Sequence, residues 1–334
     1  MTEALAGATT GKVARDRLDV SRSQAVRRFK WMILLPLMLM LFSLLTPVLL
    51  LQLYFSFHQW TVYLSSWWNA DFVGLDIFQS VFTDPRFGWA VLRSLAFAGG
   101  STVGCFVLGF LLAYLVYRPF RGQALYYAMF IVPMLTVPIV IAYTGQMLLD
   151  RNGPLNDILS RLSGHDIRVL WLSNPDMALL TVTLLDIWNW TPFSFIIMLA
   201  GLSSLPKEPV EAAQILGASA WQIFWEVQLP LLRPVILLAL VLRFLDAMGS
   251  FPIIWGLLQG GPGTATETLG IYIYITTWQD FNVSLGAAQS YITMVMMVVI
   301  VLAAIRLLRR EKRTLDTMYA KPREGGPADT GATA

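Results

Sequence analysis

The sequence predicts an all-α polytopic membrane protein: six transmembrane helices with a cytoplasmic helix-turn-helix loop. Hydrophobic residues fill 56% of its 334 positions and charged residues 13%, about half the charged share of an ordinary soluble chain. The mean hydropathy is +0.60. Apolar residues gather into runs that reach the roughly 20 residues a helix needs to cross a bilayer. Basic residues flank these runs unevenly, which sets an orientation.

In chain order the candidate spans are 31–57, 94–117 and 122–149, all without charge. They are followed by 177–201, which holds Asp186, by 234–258, which holds Arg243 and Asp246, and by 281–305, again uncharged. The segment 269–278 is apolar but too short to cross and reads as an interfacial or re-entrant piece. Seven basic residues precede the first span (Lys12, Arg15, Arg17, Arg22, Arg27, Arg28, Lys30) and seven more, from Arg306 to Arg323, follow the last. Arg118 and Arg121 lie between the second and third spans, and Lys207 and Arg233 between the fourth and fifth. With both termini cytoplasmic, 18 of the 24 Lys and Arg fall inside, while Arg86, Arg93, Arg151, Arg161 and Arg168 fall outside and Arg243 within a span. The reversed orientation breaks the positive-inside bias.

The first apolar run is too long, and starts too far from the terminus, for a cleaved signal peptide with its core of about 7–15 residues. It is expected to be a retained helix. The chain then divides into a cytoplasmic basic N-terminal tail (1–30), a membrane domain (31–306) and a cytoplasmic C-terminal tail (307–334). Residues 1–24 and 320–334 are polar enough to be expected disordered. Two outside loops remain. Residues 58–92 are rich in Trp and Asp. Residues 150–176 open with an Asn-Gly-Pro turn signal and are expected to hold a short helix. Trp60, Trp67, Trp68 and Trp171 suit membrane-interface anchors better than ligand-stacking rings.

Several functions are disfavoured. Cys105 is the single cysteine, so neither an intrachain disulfide nor a cysteine metal cluster can form. His58 and His165 lie far apart in outside loops and in no metal-ligand spacing. A membrane-embedded enzyme would need a nucleophile with its base, or a metal site. A phosphate-binding loop needs G-x-x-x-x-G-K-[ST]. The nearest approach, GATTGKV at 7–13, is one residue short between the glycines and has Val13 in place of the hydroxyl. No cofactor is expected on this chain. The basic residues flank spans, so membrane lipid, not nucleic acid, is their expected neighbour. An ion-gradient-driven secondary transporter remains an alternative. That class favours buried carboxylates in discontinuous helices and often an inverted repeat, and no convincing repeat is visible.

The inside loop 205–231 is the most patterned stretch; from 209 it reads PVEAAQILGASAWQIFWEVQLPLLRP. Pro209 suits a first helical turn, where its missing N–H is no loss. Glu211 sits in that turn, where the helix dipole favours negative charge. Gly217 can close the helix in a left-handed cap. Ser219 followed by Gln222 is a capping box for a second helix. On that helix Trp221, Phe224, Trp225, Gln228 and Leu229 recur at helical spacing, giving an apolar face for the protein's own spans. Pro230 and Pro234 punctuate the approach to the fifth span. Beside Glu211, the small residues Ala212, Ala213 and Ala218 leave room for another backbone.

This stretch resembles the EAA loop of the inner-membrane permease subunits of binding-protein-dependent ABC importers. The motif is EAA, three residues, Gly, nine residues, an aliphatic, one residue, Leu-Pro. Here it reads Glu211-Ala212-Ala213, Gly217, Val227 and Leu229-Pro230, with every spacing matched. Leu216 stands where family members often carry Asp, and Val227 where Ile is commoner. The likeness extends over roughly residues 30–310. The runs around 173–213 and 231–274, with their Gly-Gly-Pro-Gly loop, look like the sugar, polyol and glycerol-phosphate branch. The resemblance implies that Glu211, Ala212, Ala213, Gly217, Ala218 and Ser219 dock into a separate ATPase, which binds ATP and Mg. It also implies a second, paralogous permease chain, an ATPase pair and an external solute-binding protein, in a bacterial or archaeal cytoplasmic (inner) membrane.

Candidates for a solute pathway are the polar residues inside spans, because ionisable groups there usually face a cavity or a partner. Asp186 lies beside Trp188, Asn189 and Trp190, an acid, an amide and indoles that together suit hydroxyl-rich ligands. Arg243 and Asp246 stand three apart on one helix face and can pair. Tyr143, Gln146 and Gln289 are further candidates of the same kind. Pro133, Pro138, Pro192 and Pro252 are positioned to kink or open helices. The glycines Gly99, Gly100, Gly104 and Gly109 suit close helix packing.

Overall fold

The computed structural model describes residues 2–63 and 66–319, with the side chains of 29–63 and 66–307. Helix α1 (Thr2–Phe57) carries the first apolar run. That run, Phe29–Phe57, presents nearly its whole surface outward, as a lipid-facing helix does. The segment 2–24, expected to be disordered, continues α1 instead. Its Ala, Leu and Arg are good helix formers, and a helix already nucleated extends cheaply. Residues 320–334 lie outside the described residues.

Two antiparallel residue pairs join β1 (His58–Gln59) to β2 (Asp71–Phe72). Helix α2 (Asp76–Thr83) follows. Helix α3 (Pro85–Val116) starts well before the expected 94–117. The Asp84 side chain accepts from Arg86 N at 2.8 Å and Pro85 occupies the first turn, an N-terminal signal that the charge of Arg86 and Arg93 obscured in the sequence.

The expected span 122–149 is a bent pair: α4 (Gln123–Leu135) and α5 (Pro138–Leu148) diverge by 88°. Pro138 has no N–H to continue α4, and Val137 before it is extended, as a residue preceding proline prefers. Helix α6 (Pro154–Ser163) is the expected short helix of the 150–176 loop. Trp171 Nε1 donates to the buried Asn156 Oδ1 at 3.0 Å, which gives that ring a job inside the loop. Helix α7 (Pro175–Ser203) follows closely the fourth expected span.

The loop helix α8 (Glu208–Ile215) and the short α9 (Ala220–Gln222) come next. A π-helical stretch (Ile223–Gln228) then passes without a break into α10 (Leu229–Met248). The expected span 234–258 is divided: α10 ends at Met248, and α11 (Pro252–Leu258) restarts after Gly249, Ser250 and Phe251. The apolar 269–278 piece is α12 (Leu269–Tyr274) plus a π-helical stretch (Ile275–Gln279). It is buried at Leu269, Ile271, Tyr272 and Thr276, so it is core rather than an interfacial skin. The last helix is α13 (Val283–Tyr319). By length and apolar composition, four described helices can cross a bilayer, or five if the bent pair counts as one. Helix α10, the first part of the fifth expected span, is not among them because it carries Arg233, Arg243 and Asp246.

Helices α3 and α7 form the spine, and glycines let them approach. A Cβ on Gly109 would stand 2.7 Å from Phe195 N, and Gly104 faces Ile187 just as tightly, whereas nothing approaches Gly99. Among the described residues, two apolar clusters fill the interior. One holds Phe97, Val182, Ala247, Leu257, Ile271 and Ala288. The other holds Ala113, Phe195, Met198, Leu202, Leu232 and Ala239.

At the start of α3 a polar bracket ties in the 259–272 segment. Arg86 donates to both carboxylate oxygens of Glu267, at 2.8 and 2.9 Å. Ser94 Oγ accepts from Leu269 N at 2.7 Å, and the Tyr272 hydroxyl donates to Asp84. Burial, reinforced by the Asp84 carboxylate, pushes the Tyr272 phenol up to about 12, so it remains a donor.

Candidate coupling loop and buried polar belt

Loop 205–231 folds as two capped helices. Pro209 lies in the first turn of α8, together with the acidic Glu208 and Glu211. The helix closes in a Schellman motif: Ala218 N donates to Ala213 O and Gly217 N to Gln214 O, each at 3.0 Å, with Gly217 left-handed at φ 82°. Both bonds of the capping box are made: Ser219 N donates to Gln222 Oε1 at 2.8 Å and Gln222 N to Ser219 Oγ at 3.3 Å.

The loop's second half anchors to its own spans. Ile223 is buried, and the Phe224 ring lies 5.9 Å from Phe110 and 5.1 Å from Tyr114 on α3. The first half does not anchor: no residue of α8 is buried. Ile215 and Leu216, at its tip, are each 87% exposed. Two large aliphatics so bare at a rigid turn form an apolar contact point beside the acid of Glu211. The sequence reading treated Leu216 as a departure from a motif and passed over Ile215. The signal available was their position directly before the cap glycine.

Between the two apolar clusters runs a polar belt, one level deep, contributed by three helices. From α3 come Ser101 and Cys105, from α7 Asp186, Asn189 and Trp190, and from α10 Arg243 and Asp246. Arg243 is at its centre. Its Nη2 donates to Ser101 Oγ at 2.7 Å and to Asp186, and Ser101 Oγ also donates to Asp186. Nη1 donates to Asp246 Oδ2 at 2.7 Å. The guanidinium lies over the Trp190 ring, 5.3 Å from its centroid. The Arg243 and Asp186 side chains are each 1% exposed, that of Asp246 48%. Two carboxylates against one guanidinium leave the belt formally one negative charge in excess, and its accessible charged group is Asp246.

Residues 105–313 match the model of the binding-protein-dependent transport system inner membrane component. The chain belongs to this family. The permease is 33% identical to a probable ABC transporter permease protein of Sinorhizobium fredii, over 86% of this chain and 93% of the relative. It is 32% identical to a trehalose/maltose transport system permease protein of Thermococcus litoralis, over 67% of this chain and 76% of the relative. A chain of a bacterial alginate ABC transporter, solved in complex with an alginate pentasaccharide-bound periplasmic protein, superposes with a TM-score of 0.72. It is 26% identical over 86% of this permease and 96% of that chain. The permease is therefore the membrane component of an ATP-driven importer, and ATP hydrolysis belongs to a separate subunit. The ion-gradient and enzyme alternatives fall away.

In the permease the remaining pathway candidates separate. Asn189 Nδ2 donates to Pro133 O at 2.7 Å, an α4 contact, while its Oδ1 is buried without a partner. Trp188 points away from the belt, 52% exposed beside Leu108, Met129 and Leu184; the indole over the ion pair is Trp190. Gln146 Nε2 donates to Leu257 O at 2.8 Å, tying α5 to α11. Tyr143 is exposed on α5, and Gln289 is fully buried on α13 with neither amide atom paired. Sequence reading paired Arg243 with Asp246 but missed that Asp186 completes the pair from another helix. It also missed Ser101, and it placed Trp190 beside Asp186 without its position over the Arg243 guanidinium.

Proposed function

We propose that this permease carries a neutral, hydroxyl-rich solute of the sugar class into the cell, past the belt of Asp186, Trp190, Arg243 and Asp246. The observation that carries this reading is the sealing of Arg243. Its Nη atoms are committed to Asp186, Ser101 and Asp246 and its face to Trp190, so no cation is presented to an anionic solute. What the belt presents is the Asp246 carboxylate and an indole, an acceptor and a flat apolar face, which suit hydroxyl groups and sugar rings. The trehalose/maltose relative supports the same class.

On this reading Glu211, Ala212, Ala213, Gly217, Ala218 and Ser219, joined by Ile215 and Leu216, dock into the ATPase. The loop and both termini face the cytoplasm. The working assembly contains a second permease chain, two ATPase subunits holding ATP and Mg, and an external solute-binding protein. The test is uptake by the complete transporter in proteoliposomes, with a panel of labelled neutral sugars, sugar acids and sugar phosphates. Uptake of neutral sugars alone, lost in Asp246→Ala, is the expected outcome. Preferential uptake of the acids or phosphates would overturn it.

A further inference from the structure

A cleft of about 560 Å³ opens beside α5 and α11, lined by Gln146, Asp150, Ser173, Gln259, Gly261 and Pro262 over a floor of leucines. This volume lies within the roughly 300–1,000 Å³ of small-molecule pockets. Ser173 lies two residues before α7, whose far end leads to loop 205–231, so the cleft and that loop are separated by the length of α7, about 43 Å. We propose that this cleft is a second solute subsite, taking a hydroxyl-rich solute at the outer face before it reaches the buried belt. The proposal rests on the sugar-type reading above.

The lining chemistry selects the ligand class. Two side-chain amides, a carboxylate and a hydroxyl surround an apolar floor, and no lysine or arginine is among the lining residues. That set binds hydroxyls and rejects phosphate. Gln146 spends its Nε2 on Leu257 O and keeps its amide oxygen. Gln259 caps α11 in the left-handed region, at φ 51° and ψ 30°, which costs a non-glycine residue roughly 1–2 kcal/mol. Glycine would sit there without strain. A side chain held at such a position points to a use for that side chain.

The wall is rigid. Thr266 Oγ1 donates to Gly261 O at 2.7 Å, and the next residue, Glu267, is clamped by Arg86. The floor is closed. A Cβ on Gly145 would stand 2.8 Å from Leu185 Cδ1 and 3.3 Å from Leu257 Cδ1. Leu185 directly precedes Asp186, which lies about 16 Å along α7 from its first residue. Cleft, closed leucine floor and belt thus follow one another along α7.

The experiment uses Ser173→Cys in the complete transporter in proteoliposomes, labelled from outside with a membrane-impermeant maleimide. Native Cys105 is buried and stays silent. The probe is the neutral sugar that the unmodified transporter takes up. At 1 mM it is expected to slow labelling roughly tenfold, the factor for a subsite with Kd ~0.1 mM. Adding Gln259→Gly, which relieves the backbone strain while deleting the side chain, is expected to abolish the protection without changing the unprotected labelling rate. Equal labelling with and without sugar would overturn the subsite, and so would full protection in the Gln259→Gly chain. If protection is absent while Asp246→Ala still abolishes uptake, the cleft falls and the belt stands. If the unmodified transporter takes up no neutral sugar, both fall.

Discussion

Asn189 of α7 reaches α4 and donates to the Pro133 carbonyl at 2.7 Å, just where α4 and α5 part by 88°. The Pro133 carbonyl keeps one turn donor, Thr136 N at 3.1 Å, and the Thr136 carbonyl just beyond the helix end is reached by the same Asn189 amide at 3.4 Å; inside a membrane no water replaces a missing donor. One amide from the spine supplies a donor, so the bend is held from outside the bent pair. Asn189→Leu removes that donor and is expected to destabilise the protein by about 1–3 kcal/mol, seen as a lower thermal-unfolding midpoint in detergent. A changed solute selectivity at an unchanged midpoint would mean that Asn189 faces solute instead.

The ion pair at the centre of the belt makes an ordered prediction. Arg243→Met leaves two carboxylates without their cation and is expected to cost about 3–5 kcal/mol. Asp186→Asn leaves Arg243 still paired with Asp246 and is expected to cost less. The Asp186→Asn, Arg243→Met double variant is expected to be more stable than Arg243→Met alone. Unfolding midpoints and membrane yields of the three chains check the order.

Docking predicts a loss of coupling without a loss of folding. Glu211→Lys and Leu216→Asp alter exposed positions, so chain levels in the membrane are expected to match the unmodified protein. Uptake is expected to fall roughly tenfold, as for a coupling change of about 1.4 kcal/mol, with less ATPase recovered on gentle purification. Unimpaired uptake in both variants counts against the loop as the docking element.

The α3–α7 seam offers a matched pair. Gly109→Ala forces a methyl against Phe195 N and the Ser194 side chain and is expected to cost about 1–3 kcal/mol by overpacking. Gly99→Ala, with open space around it, is expected to be neutral or slightly stabilising through better helix propensity. Thermal unfolding of the two chains side by side is the check.

The features legible in the sequence were those specified within one helical turn. The Gly217 cap, the Ser219–Gln222 box and the Arg243–Asp246 pair each involve partners no more than five residues apart, and each appears in the structure as read. The features that were not legible depend on which helices meet. Asp186 finds Arg243 through a contact between α7 and α10, and Ser101 joins from α3. Apolar composition merged α4 with α5 and α10 with α11, because hydropathy is indifferent to direction. Only the proline at each restart marked the bend. Trp188 and Trp190 look alike in sequence, but two residues on a helix differ by about 200° in direction, so one faces outward and the other covers the ion pair.

The π-helical stretch Ile223–Gln228 joins α9 to α10 without a break, so one backbone rod runs from Trp221, at the loop, to Arg243 and Asp246, roughly 30 Å away. A π turn stores one surplus residue. Relaxing it to α geometry would advance the register beyond it by one position, about 100° of rotation. A single residue of slack in the rod thus corresponds to more than a quarter turn of the side chains that hold the belt together.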